Sequence, residues 1–126
     1  MPDNLHGSGH QEQFRRGVEQ FNGRLFFEAH ETWEEIWLAS TEPEKTFLQG
    51  IIQVAAAFHH YGRGNMRGTR SLLEAGLKRL ERFPDVHRNL ALESLRVEAR
   101  AWVEEITDGK DLSAERVPKI LYVVNE

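Results

Sequence analysis

The chain contains no cysteine among its 126 residues, which excludes disulfides, thiolate zinc sites and a cysteine nucleophile. Any metal must then be held by His, carboxylate, amide or water ligands. Positive charge is also in short supply, with 16 basic against 20 acidic residues and a net charge of −4. Only residues 63–88 run the other way, with seven basic and three acidic groups. That is too little positive surface for a nucleic-acid partner. No apolar run reaches the roughly 20 residues of a membrane span. The longest uncharged stretch, 46–62, holds Gln49, Gln53, His59 and His60. The first ten residues have neither a basic region nor an apolar stretch, so no signal or transit peptide is indicated and a cytoplasmic protein is expected. Walker and dinucleotide fingerprints are missing, and no serine lies in a Gly-x-Ser-x-Gly elbow.

What is present is helical periodicity. A chain of this length fits one domain, 1–126, that hides roughly two thirds of its unfolded surface. Residues 1–9, with two Gly and one Ser, read as a loosely ordered leader. A short first helix follows, carrying Phe14, Val18 and Phe21 on one face and ending at Asn22-Gly23. A second helix is expected from about Arg24 to Ala39. Thr41-Glu-Pro-Glu44 has the form of a capping box that starts a third helix near Glu42. There Phe47, Leu48, Ile51, Ile52, Val54 and Phe58 cover more than half the circumference, so other helices must surround it. Gly62-Arg-Gly-Asn65 breaks the chain, with Asn65 as N-cap of a fourth helix through Leu72, Leu73, Leu77 and Leu80 to about Phe83. A fifth, from about Arg88 to Ile106, aligns Leu95, Ala99, Trp102 and Ile106. The β-branched segment from Val117 reads as an extended tail packed over the bundle. Short connections make consecutive helices antiparallel neighbours, so the expected fold is an all-α, single-domain antiparallel bundle of about five helices.

Chemistry concentrates in Glu28-Ala-His-Glu-Thr-Trp-Glu-Glu-Ile-Trp37. On a helix, Leu25, Ala29, Trp33 and Ile36 point one way, and Glu28, Glu31 and Glu35 nearly opposite, toward solvent. His30 and Glu34, at i and i+4, fall between, in a seam flanked by Phe27, Trp37 and Leu38. Their Cβ atoms lie roughly 5–6 Å apart, close enough to share a ligand. His59 lies in line with Leu48, Ile52 and Ala55 on the third helix, and His60 with Gln49 and Gln53 on a polar stripe. Either histidine is able to supply a third ligand, and His59 is the first choice. Two imidazoles and a carboxylate suit Zn, Fe, Mn or Ni and leave positions open for water. Trp37, Gln49, Gln53 and His60 would line the surroundings, with the Trp37 indole placed to orient Glu34. The competing reading is structural: His30 and Glu34 hydrogen-bond each other, His59 bonds a backbone carbonyl, and the protein is a non-enzymatic interaction module, with homodimerisation or a protein partner. Separately, Arg63, Asn65 and Arg67, with Arg70 nearby, place cations at a helix N-terminus where an anion can bind.

Taken together, Phe21-Asn-Gly23, Phe27-Glu-Ala-His-Glu31, Glu34-x-x-Trp37, Phe47-Leu-Gln-Gly-Ile-Ile-Gln53, Ala55-Ala-Ala-Phe-His59 and Gly64-Asn65 resemble the bacterial and archaeal family catalogued as domain of unknown function 309. The resemblance covers roughly 14–83. It implies a small all-helical fold and a His-x-x-x-Glu-x-x-Trp or Tyr motif associated with metal binding, matched here by His30, Glu34 and Trp37. It implies no reaction.

Overall fold

A computed structural model describes residues 2–123, with side chains from residue 9 onward. Five helices run α1 (Pro2–Asn22), α2 (Phe26–Ala39), α3 (Glu44–Gly62), α4 (Met66–Leu80) and α5 (Leu92–Thr107). A minimal hairpin of β1 (Val86–His87) and β2 (Leu90–Ala91) separates α4 from α5, and a 3-10 turn at Ala114–Arg116 opens the tail. Each helix packs on the next in sequence, as short connections require, and the architecture is an all-α bundle. Among the described residues no helix is long and apolar enough to cross a membrane.

The core is the set of apolar stripes seen in sequence. Phe14, Val18 and Phe21 of α1, all six named apolar residues of α3, and Leu95, Ala99 and Trp102 of α5 are buried. Helix α3 is enclosed between α2 and α4. Its contact with α4 is close because both sides lack a side chain: a Cβ on Gly76 would stand 2.9 Å from the Gly50 carbonyl oxygen. Trp33 is fully buried, and it lies flat against α1 at Gly17, where a Cβ would come within 2.1 Å of its Nε1. That indole nitrogen donates to the Phe14 carbonyl at 3.1 Å.

Several local expectations change. The backbone of 2–9, expected as a loose leader, continues α1 as helix; glycine weakens a helix by about 1 kcal/mol relative to alanine without breaking it, and Met1 lies outside the described residues. After α1 it is Arg24, not Asn22 or Gly23, that takes a positive φ, of 69°. The Asn22 side chain has a long-range role, since its amide donates to the Ile120 carbonyl at 2.9 Å and accepts from the Ile120 amide at 2.8 Å. No capping box forms at Thr41. Pro43 precedes α3 without a side-chain cap, and the Glu42 carboxylate accepts from the Thr46 amide and hydroxyl at 2.9 and 2.6 Å. Asn65 caps α4 as expected, its side-chain oxygen accepting from the Gly68 amide.

The stretch 81–91 departs most. Helix α5 begins at Leu92 rather than Arg88, because Arg88 and Asn89 both take positive φ, 53° and 63°, as a two-residue hairpin turn demands. Arg88 is held there by Glu44 at 3.4 Å and by the face of Phe14, 4.2 Å from the ring centroid. The His87 Nε2 lies 2.8 Å from the same Glu44 carboxylate. The tail packs over the bundle and also joins the hairpin edge through a bridge between Leu90 and Tyr122; the expected extended run continues beyond 123, outside the described residues. Below the hairpin Arg96, 5% exposed, donates to the Leu80 and Phe83 carbonyls at 2.8 Å each and pairs with Asp85 and Glu93. It thereby caps the end of α4, a use that no sequence spacing signals.

Gly17→Ala must displace Trp33 and should lower unfolding free energy by about 1–3 kcal/mol in urea titrations. Gly9→Ala, with open space around it, should leave stability equal or raise it by up to about 1 kcal/mol. Arg96→Met removes charge-assisted bonds to the two carbonyls and should cost about 2–3 kcal/mol. Hydrogen bonding from Arg96 holds the Glu93 carboxyl below its ordinary 4.5, so its contribution is present above about pH 4.5 and is lost as pH falls through the lowered value. Acid unfolding curves should accordingly be shallower below that pH for Arg96→Met than for the parent.

Candidate functional site

The phase of α2 is set by Ala29, Trp33 and Ile36, which face the core. His30 and Glu34 are thereby carried to the flank of the helix, and Glu28, Glu31 and Glu35 to solvent. The His30 side chain is 27% exposed and that of Glu34 53%. Their closest approach, Nε2 to Oε2, is 3.7 Å. This suits an ion pair when His30 is protonated but is too long for a hydrogen bond. The other ring nitrogen, Nδ1, is buried with no hydrogen-bond partner among the described residues.

The last turns of α3 complete the surroundings. His59 and His60, with Ala56, meet His30 and Phe27 around one cavity of about 190 Å³ between α2 and α3. Both histidines weighed as the third ligand therefore face the same space as His30. Glu34 stands outside its wall. Phe27 forms the aromatic side, its ring stacked on His30 with centroids 6.0 Å apart and tilted against His59 at 5.4 Å. The i, i+3 spacing of Phe27 and His30 is the sequence signal for this wall. The His60 Nδ1 accepts from the Asn65 amide at 3.1 Å, which leaves its Nε2 as the protonated nitrogen. Among the described residues no three His, Asp or Glu side chains are grouped so as to hold a metal ion. As placed, His30 and Glu34 are a two-donor pair, with two more imidazoles nearby.

The remaining site candidates disperse. The Trp37 indole does not orient Glu34: its Nε1 is buried without a partner among the described residues, and its ring lies beneath the Lys45 ammonium, 4.4 Å from the centroid. Gln53 accepts from Arg79 at 3.3 Å, and neither it nor Gln49 lines the histidine cavity. The cations at the α4 N-terminus do not assemble around an anion. Asn65 is occupied in capping the helix and holding His60, Arg67 is exposed, and Arg70 pairs with Glu74 at 3.6 Å. Arg63 instead lines a separate cleft with Arg24.

Residues 14–72 match the family model described as domain of unknown function (DUF309). This segment belongs to that family. It contains His30, Glu34, His59 and His60 and stops within α4, short of the 83 suggested by the motifs. The DUF309 match thus covers the histidine cavity and leaves the hairpin, α5 and the tail outside. An uncharacterized protein of Aquifex aeolicus (strain VF5) is 32% identical over 88 residues, which is 69% of this chain and 25% of that protein. The chain therefore spans about a quarter of that relative's length.

Proposed function

We propose that the histidine cavity of this DUF309 segment binds a divalent metal, with His30 and Glu34 of α2 and His59 of α3 as its protein ligands. The observation that carries this reading is the placement of His30: a partly buried imidazole whose Nε2 stands 3.7 Å from Glu34 without a hydrogen bond, lining a cavity that it shares with two further imidazoles. A hydrogen-bonded structural seam would have closed that gap to about 3 Å. The donors fit a borderline metal in kind, since neutral imidazole and carboxylate suit Zn, Fe, Mn or Ni. They fit less well in arrangement, because Glu34 and His59 must turn toward His30 before three donors meet. A metal so held would supply Lewis acidity or an activated water. This chain's own part is to orient the His30 imidazole, through the Phe27 ring stacked on it, while the Asn65 amide occupies the His60 Nδ1 and leaves His59 as the α3 imidazole free to coordinate.

A second reading rests on α2 alone. Phe27 and Leu38, 47% and 68% exposed, flank His30 and Glu34 on the same side of the helix, which favours an interaction module that meets a second copy or another protein there. Sedimentation of the parent and of Leu38→Glu separates it: a monomer at every concentration for both proteins removes the homodimer.

The metal reading is tested by elemental analysis of protein purified without chelator or metal-affinity resin. Near-stoichiometric metal is expected in the parent, with loss in His30→Ala, Glu34→Ala and His59→Ala. Added metal at about 100 times its dissociation constant should stabilise the parent by about 2.7 kcal/mol and the variants far less. Trace metal in the parent, or content unchanged by His30→Ala and Glu34→Ala, overturns the proposal.

A further inference from the structure

On the other side of Phe27 and His59 from the histidine cavity lies a larger cleft of about 540 Å³, formed where the start of α2, the end of α3 and the tail come together. Its volume falls within the roughly 300–1,000 Å³ of small-molecule sites. The floor is apolar: Phe26, Phe58, Tyr61 and Val117 line it. Leu25 and Phe27, two of the large apolar side chains that stay about half exposed, stand at its edge. This is the composition of a site that removes an apolar body from water, with each buried CH₂ contributing about 0.8 kcal/mol.

The charged lining is unequal. Arg24 and Arg63 contribute two guanidinium groups and Glu28 a single carboxylate. Arg24 reaches the cleft because its own backbone takes the positive φ that turns α1 into α2. One of its nitrogens donates to the Val117 carbonyl at 3.0 Å, which fixes the side chain while its remaining N–H groups stay available. Arg63 comes from the opposite side, immediately after α3, and is exposed. Paired arginines beside an apolar floor recognise a carboxylate, sulfonate or phosphate attached to a hydrophobic body, since guanidinium donors match planar and tetrahedral oxyanions.

We propose that this cleft binds a small amphiphilic anion, with the apolar part on Phe26, Phe58 and Tyr61 and the anionic group between Arg24 and Arg63. The site shares Phe27 and His59 with the histidine cavity but does not depend on metal binding there, and metal-free protein is the material for its test.

The test uses two fluorescent probes with the same aromatic body, anilinonaphthalenesulfonate and the neutral phenylnaphthylamine, titrated into the full chain with melting curves recorded in parallel. The expected result is saturable binding of one sulfonate per chain, tighter than the neutral probe. Arg63→Gln should weaken the sulfonate by about tenfold, the loss of one charge-assisted contact, and leave the neutral probe within about twofold. Leu25→Glu, at an exposed position, should weaken both. Equal affinities of the two probes for the parent, no saturable binding, or sulfonate affinity unchanged in Arg63→Gln would each overturn the proposal.

Discussion

Helix α3 presents apolar side chains around most of its circumference, and nearly every other element is placed by the need to cover it. Nine of its residues are buried, so an amphipathic partner on one side is not enough. Helix α4 closes over the Gly50 and Gly76 contact. On the other flank α2 lies alongside α3, and Trp33 pins α2 to α1 through the gap left by Gly17. The enclosure loosens toward the end of α3, where His59 and His60 replace the aliphatic residues and α2 supplies His30 and Phe27 opposite them. The candidate site is therefore where the covering of α3 gives way to polar side chains.

The segment outside the family match finishes what the matched segment leaves open. Phe58 of α3 packs edge-on against Trp102 of α5, with centroids 5.1 Å apart. Tyr61 donates to the Leu112 carbonyl and Trp102 to that of Arg116. Asn22 and Arg24, at the turn between α1 and α2, hold the tail at Ile120 and Val117. Both walls of the larger cleft depend on these tethers, so the tail belongs to the architecture of that cleft as much as α2 and α3 do. Arg96 performs the matching task at the far end, tying the end of α4 to the start of α5.

Much of this was legible because burial imposes a period. Phe14, Val18 and Phe21, the stripe of α3, and Leu95, Ala99 and Trp102 declare their inward faces by spacing alone, and the helical bundle follows. Features made by long-range partners were not legible. The positive φ of Arg88 is tolerated because Glu44 and Phe14, distant in sequence, hold its side chain, and Asn22 looks like a helix stop until Ile120 is placed beside it. Within the candidate site, the spacing placed His30 on α2 and His59 and His60 on α3, three residues that meet around one cavity, with Glu34 outside its wall. It did not identify Phe27 as the wall, nor that Asn65 is engaged with His60, nor that Arg63 parts from Arg67 to join Arg24. Those outcomes depend on how α2 and α3 are rotated against each other, which a single helical wheel does not contain.

The proposed metal site requires His30 and Glu34 to be an open pair rather than a closed structural link. A double-mutant cycle on unfolding free energy, using His30→Ala, Glu34→Ala and the combined variant in metal-free protein, measures that directly. At 3.7 Å on the helix surface the coupling should stay below about 0.5 kcal/mol. A coupling above about 1.5 kcal/mol would mean that the pair is a buried hydrogen-bonded unit in solution, and would contradict the account.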